Sequence, residues 1–355
     1  MLHLNGSHGE GGGQLLRTSL SLAALLGEPV RITDIRAGRA KPGLRPQHLT
    51  AVTALAQITQ AEVEGARLGS RELTFRPRTI QGGSYFFDVA EKTGSAGSVT
   101  LVAQALLPPL LAARGPTSLV IRGGTHVAWS PPVHYFVHVF LPTLAELGAE
   151  AALTLSRWGW YPRGGGEVHL IVHPAAELSP RTWRSAPEPD HFQALSAASR
   201  VPAHVIQRQA KRLKERLGGG LPVEEVEAVS NDPGSFVFIW GPQAGFHALG
   251  ARGKPAEKVA DEAAEQFLSF KERQAAVDRH LADQVLLYLA RATGPSAFTT
   301  EEITLHLLTN VWVIEQFLGP CFQVLGHQGE PGEIKCRGRG SRISAFSAKP
   351  SSSTL

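Results

Sequence analysis

Short apolar runs alternate with helix-length segments through the first half of this chain, and that alternation restricts the fold more than any other feature. Leu2–Leu4, Val30–Ile35, Ala61–Leu68, Arg71–Phe75, Ser84–Val89, Ser118–Ile121, Ala151–Arg157 and Glu167–Val172 read as strands. Between them, Gln14–Leu25, Pro46–Gln57, Ser98–Ala113 and Pro132–Leu147 carry apolar residues at helical spacing. Such a rhythm predicts small α/β units, each packing helices on a sheet. Pro180, Pro187 and Pro189 interrupt it. Beyond them, strands at Phe192–Ala197 and Phe236–Trp240 and helices at Val201–Leu217 and Ala256–Arg273 read as an inserted α/β domain over 181–274. A helix at Ala275–Ala292, a strand at Ala297–Thr299, a helix at Thr304–Phe317 and a hairpin from Phe322 to Cys336 then complete a main domain of 1–180 plus 275–337. Residues 338–355, rich in Gly, Arg, Ser and Pro, are expected to be a disordered tail.

A chain of 355 residues with 43% hydrophobic content has ample core for this division. No apolar run is long enough to span a membrane, and the opening MLHLNGSHGEGGGQ lacks the basic start and apolar stretch of a secretory signal. Two cysteines, Cys321 and Cys336, cannot frame a protein of this size with disulfides, which suits a reducing cytoplasmic interior. A net charge of +4 says little, but its distribution says more. Arg31, Arg36, Arg39, Lys41 and Arg45 crowd one segment in which Asp34 is the sole acid, a candidate phosphate site. The basic helix around Lys211 and Arg216 reads first as a solvated face and second as an RNA contact.

Five segments carry candidate chemistry. GEGGGQ at 9–14 is neither a dinucleotide fingerprint nor a P-loop, yet its glycines lead into a helix start, where free amides attract anions. Glu10, Gln14 and Arg17 follow at spacings that let an acid, an amide and a guanidinium converge there. RAGRAKPG projects Arg36, Arg39 and Lys41 from one loop. YPRGGGE at 161–167 is weaker, since a turn explains its glycines equally well. HLADQ puts Asp283 on a helix, where it reads as a surface acid or as a ligand for a divalent ion. HLLTN puts His306 at a helix start, which disfavours imidazolium and leaves a nucleophilic ring nitrogen, with Thr309 or Asn310 available to hold it. Taken alone, a His-Leu-Leu is more simply a core histidine.

These segments together resemble the RNA 3′-terminal phosphate cyclase family. GEGGGQLLRTSLSL at 9–22, IRAGRAKPGLRPQHLTAV at 35–52, GSAGSVTLVAQALLP at 94–108, RGGT at 122–125, YPRGGGE, HLADQ at 280–284 and HLLTN at 306–310 occur in family order. The resemblance implies three repeated modules, each a small sheet with two helices, and an α/β domain inserted before the last. It implies ATP and a divalent metal, Mg²⁺ or Mn²⁺, as cofactors, and 3′-phosphorylated RNA as partner. A monomer or homodimer would serve.

By the same resemblance His306 is the residue that takes AMP, with Arg17 and Arg39 assisting. Gln14, Gln104 and Asp283 bind the nucleotide, while Glu10 and Asp283 hold the metal. Arg17, Arg36, Arg39, Lys41, Gln47 and His48 bind the RNA phosphate. Three positions depart from the common family form: His126-Val127 after RGGT, His134-Tyr135 after Pro131–Pro132, and His280 opening the ADQ segment. A non-catalytic cyclase-like factor for ribosomal RNA processing is the main alternative, and His306 argues against it. An enolpyruvyl transferase is a second, resting on shared modules alone.

Overall fold

One connection pattern is used three times. The computed structural model describes residues 1–89 and 96–340. Its first module runs β1 (Leu2–Asn5), α1 (Gly13–Leu26), β2 (Val30–Thr33), α2 (Pro46–Thr59), β3 (Glu62–Glu64) and β4 (Leu73–Arg76), in the sheet order β1-β2-β4-β3. The second has β5 (Gly83–Asp88), α3 (Val99–Leu110) and β6 (Thr117–Gly123). A helical stretch follows, made of α4 (Val133–Tyr135), a π-turn at Phe136–Phe140 and α5 (Leu141–Glu146). With β7 (Ala151–Arg157) and β8 (Gly166–Val172), the order is β5-β6-β8-β7.

The third module opens with β9 (Thr182–Trp183) and is then interrupted. The interruption contains β10 (Gln193–Ser199), α6 (His204–Leu217), β11 (Val223–Glu227), β12 (Gly234–Gly241), β13 (Ala244–Leu249) and α7 (Ala256–Arg273). The module resumes with α8 (Arg279–Gln284), α9 (Leu286–Arg291), β14 (Ser296–Thr300), α10 (Leu305–Leu318), β15 (Phe322–Leu325) and β16 (Gly332–Cys336). Its order, β9-β14-β16-β15, matches the other two, with the first pair parallel and the rest antiparallel.

Thr182 and Trp183, assigned from the sequence to the insertion, therefore belong to the third sheet, pairing with Ala297 and Phe298. The single helix expected over 275–292 is also corrected. Val277 bridges to Thr300, and buried Asp278 accepts the amides of His280 and Leu281, so a new helix starts at Arg279. The strand expected over 61–68 shortens to Glu62–Glu64, and β11 and β13 are additional. The expected tail, past Gly340, lies outside the described residues.

Helices α1, α2, α3 and α10 pack together between the sheets, which explains why α1 is buried over most of its surface. The inserted sheet faces two cores. Phe236 and Phe238 of β12 join the main core, while Val237 and Ile239 pack with α6 and α7, the period-two alternation of a strand covered on both sides. Arg208 and Arg212 of α6 pair with Glu257 and Asp261 of α7, so much of that helix's positive charge is already neutralised.

Against the insertion lies a buried stack of histidines. His126 Nε2 and His134 Nδ1 are 2.8 Å apart, His126 stacks on Trp158 at 4.1 Å, and Phe236 closes edge-on at 4.7 Å. Burial, then the neighbouring His138, depresses His134 to about 3, and His126 is held well below its ordinary value. Imidazoles depressed on folding stabilise the protein above their unfolded value near 6.5 and cease to do so as pH falls. The thermal midpoint is thus expected to drop by several degrees between about pH 6.5 and pH 4, measured by circular dichroism. A flat profile would mean that the stack tolerates charge.

Candidate active site

The first and third modules meet at a cleft of about 1000 Å³, bounded by the N-termini of α1 and α10 and by α8. No side chain caps α1, leaving its first amides to face a ligand. The glycine-rich loop reaches α10 because Glu10 N–H donates to Thr309 Oγ1 at 3.0 Å, and Thr309 in turn donates to Leu305. Gly9, at φ 58°, sits against that threonine, where a Cβ would strike Oγ1. At Gly13 a Cβ would strike His48 Nε2 and crowd Arg17, so this close approach also requires glycine.

His306 lies in the first turn of α10, behind the cap made by Thr304. Neither Thr309 nor Asn310 holds its ring. Gln14 does, its Oε1 3.0 Å from His306 Nδ1 while its Nε2 donates to Asp283 Oδ2. The carboxylate fixes the amide: with NH₂ turned to Asp283, the carbonyl must face the histidine and accept from Nδ1–H. That leaves His306 Nε2 with its lone pair free, 3.8 Å from Glu10 Oε1. Burial lowers His306 to about 4, helped by Arg17 and Arg39, so the ring is neutral at pH 7. These causes accompany the helix start inferred from sequence.

Burial brings Arg17 down to about 10, Asp283 opposing and Arg36 adding to the shift; the guanidinium remains charged at pH 7. No hydrogen bond satisfies it among the described residues. Arg39 pairs with Glu10. Arg36 holds its own loop, donating to the carbonyls of Lys41 at 2.8 Å and Gly43 at 3.0 Å. His48 is buried, and its Nδ1 accepts the Arg45 amide at 3.2 Å, which puts its proton on Nε2 beside Gly13. Burial and three arginines keep it neutral. Gln47 Oε1 accepts Ser98 N–H, tying the starts of α2 and α3 together, and Gln104 donates to Gln284 at 2.6 Å. Of the basic segment, Arg36 and Arg39 line the cleft, whereas Arg31, Arg45 and the exposed Lys41 do not.

A divalent ion fits this chemistry. Glu10 Oε2 is buried with neither a hydrogen bond nor an ion pair among the described residues, Oε1 meets Arg39, and buried Asp283 is a second hard oxygen donor. Two carboxylates with substrate phosphates completing the shell suit Mg²⁺ or Mn²⁺. Desolvation raises Asp283 to about 7, while the Gln14 hydrogen bond restrains it, so the ionised form that accepts from Gln14 is populated at neutral pH and a bound cation would favour it further.

The RNA 3′-terminal phosphate cyclase family profile matches residues 8–324, a span that includes every residue lining the cleft. The chain belongs to this family. The RNA 3′-terminal phosphate cyclase of Pyrococcus furiosus is 46% identical over 342 residues, covering 94% of this chain and 98% of that one. Its counterpart in Methanopyrus kandleri is 43% identical over 354 residues, covering 96% and 99%. Among solved structures, the enolpyruvyl transferase NikO from Streptomyces tendae aligns over 96% of this chain and 48% of that chain. At 12% identity and a TM-score of 0.37, the likeness is too slight to bear on fold or reaction.

In this cyclase two of the three family departures, His126 and His134, sit in the buried histidine stack, away from the cleft wall, while His280 lines the wall. The insertion reaches the cleft through His247 and Gln266. Sequence reasoning missed Gln284 and Trp129. Gln284 stood inside the quoted ADQ segment; Trp129 had no local signal beyond an aromatic in a proline-bounded loop.

No helix among the described residues is long and apolar enough to cross a membrane.

Proposed function

We propose that this cyclase uses ATP to convert an RNA 3′-terminal phosphate into a 2′,3′-cyclic phosphate. His306 Nε2 attacks the α-phosphorus of ATP, forming a P–N bond as pyrophosphate leaves. An oxygen of the RNA 3′-phosphate then attacks that phosphorus, breaking the P–N bond, regenerating the imidazole and giving RNA–(3′)pp(5′)–A. Finally the adjacent 2′-hydroxyl attacks the 3′-phosphorus, loses its proton and expels AMP. A terminal phosphate has no good leaving group, so adenylation supplies one, and the hydroxyl is already positioned on the same ribose.

The observation that carries this reading is the Asp283–Gln14–His306 chain, which leaves Nε2 unprotonated near the Arg17 guanidinium, itself without a hydrogen-bond partner among the described residues. Arg17, Arg39 and the neutral His48 Nε2–H would receive phosphate oxygens, with Gln47 and Arg36 holding the segments that present them. Lys41 stands outside, where a longer polyanion would pass. Gln104 and Gln284 face the nucleoside end. Glu10 and Asp283 would hold Mg²⁺ or Mn²⁺, which when bound offsets the charge of the triphosphate. The insertion braces the second module and completes one wall. Buried free thiols at Cys321 and Cys336 suit a cytoplasmic enzyme.

Incubation with α-labelled ATP and Mg²⁺ or Mn²⁺ is expected to give an acid-labile, alkali-stable protein–AMP adduct. Adding 3′-phosphorylated RNA should chase the label into free AMP as the RNA end becomes cyclic. Failure of the parent protein to label with either metal would overturn the reading, and would favour the non-catalytic alternative.

A further inference from the structure

Trp129 has no part in the chemistry above, yet it lines the same cleft as His306. It is 99% exposed, more than any other large apolar side chain among the described residues. Its backbone lies at φ 65°, in the left-handed region where a bulky side chain is strained. The surrounding loop is pinned on both sides. Ser130 Oγ donates to the Val127 carbonyl at 3.0 Å, Thr100 Oγ1 to the Pro131 carbonyl at 2.6 Å, and Val133 N–H to the Thr125 carbonyl at 3.0 Å. The protein thus fixes the segment, accepts a strained backbone within it, and leaves the indole almost fully exposed.

A ring held in this way offers an unobstructed aromatic face at the cleft rim. An RNA strand whose last phosphate is at His306 must leave the cleft across its rim. The partially exposed guanidinium of Arg39 lies along the same cleft and can follow the backbone charge. Stacking on an indole tolerates any base, which suits a site that reads the terminal phosphate and ribose and not the sequence.

We propose that Trp129 is a stacking platform for an RNA base within the last two nucleotides of the substrate. This rests on the reading of the cleft as the RNA-end site. The expected effect of W129A is a rise in KM for 3′-phosphorylated RNA of roughly five- to hundredfold, the range that loss of one base–aromatic stack produces. W129F should recover most of the loss, and W129L, apolar but not aromatic, should not. Because the indole is almost fully exposed, the thermal midpoint should not fall with any of the three. In the parent, an abasic residue at the terminal or the penultimate position should reproduce the defect, and W129A should be insensitive to it.

Two results would overturn the proposal: an unchanged KM for RNA in W129A, or a defect that appears in ATP-dependent adduct formation, which would mean the indole covers adenine. Both are read against normal labelling of the parent, whose absence would instead remove the reading of the cleft itself.

Discussion

H306A is expected to form no protein–AMP adduct and to cyclise 3′-phosphorylated RNA more slowly by a factor on the order of 10⁴ or greater, as for loss of a covalent nucleophile elsewhere. Gln14, Glu10 and His48 do not replace it. Gln14 offers an amide, Glu10 is paired with Arg39, and His48 presents a protonated Nε2 to the cleft. The last step does not use the imidazole as a nucleophile, so the same variant should still close chemically supplied RNA–(3′)pp(5′)–A. This separates a lost nucleophile from a lost fold. Undiminished labelling of H306A would move the adduct to another residue and sink the assignment.

R17A should cost on the order of 10³-fold in the rate of adduct formation, the scale set by removing a preorganised donor or an arginine that meets transferring phosphate. Arg17 is a desolvated cation with no hydrogen-bond partner among the described residues, and so is free to engage an incoming phosphate. Its removal has a second, independent signature. Arg17 is the first of the charges that depress His306, so without it the imidazole should titrate above its present value of about 4. The acid limb of the pH–rate profile should therefore move to higher pH in R17A, because the protonated ring cannot attack. A slower enzyme with an unmoved acid limb would mean that Arg17 does not face the histidine. R17K should restore the charge and part of the limb's position, but not the two-pronged contact with oxygen atoms.

Much of the architecture could be read from the chain because each module's apolar period changes at a glycine or proline. Ala151–Arg157 and Ala256–Arg273 even have the bounds anticipated. The misreadings have local causes. Thr182–Trp183 is too short to show any period, and its place is fixed only by pairing with β14. Val223–Glu227 reads VEEVE, a charged run that becomes a strand at the sheet edge beside β10. Asp278 ends a would-be long helix because its carboxylate caps the next one and also accepts from Tyr135 and Gly245, partners far away in sequence. In the structure, the site residues implied by the family resemblance, Lys41 excepted, converge on one cleft. Which atom faces which did not follow, since the orientation of the Gln14 amide depends on an acid 269 residues away.

That separation bears on how the protein is made. A nascent chain displays Glu10 and Gln14 almost at once, and the first two modules can bury their helices while synthesis continues. His306 and Thr309 emerge only after the insertion and the start of the third module, and Glu10 then reaches across 299 positions to bond Thr309. On the proposed mechanism, a ribosome-bound fragment that stops short of α10, or a protease product lacking it, would not load AMP, however well the remainder is folded. Activity would then arrive as the last long helix docks, and an unfinished copy would consume no ATP.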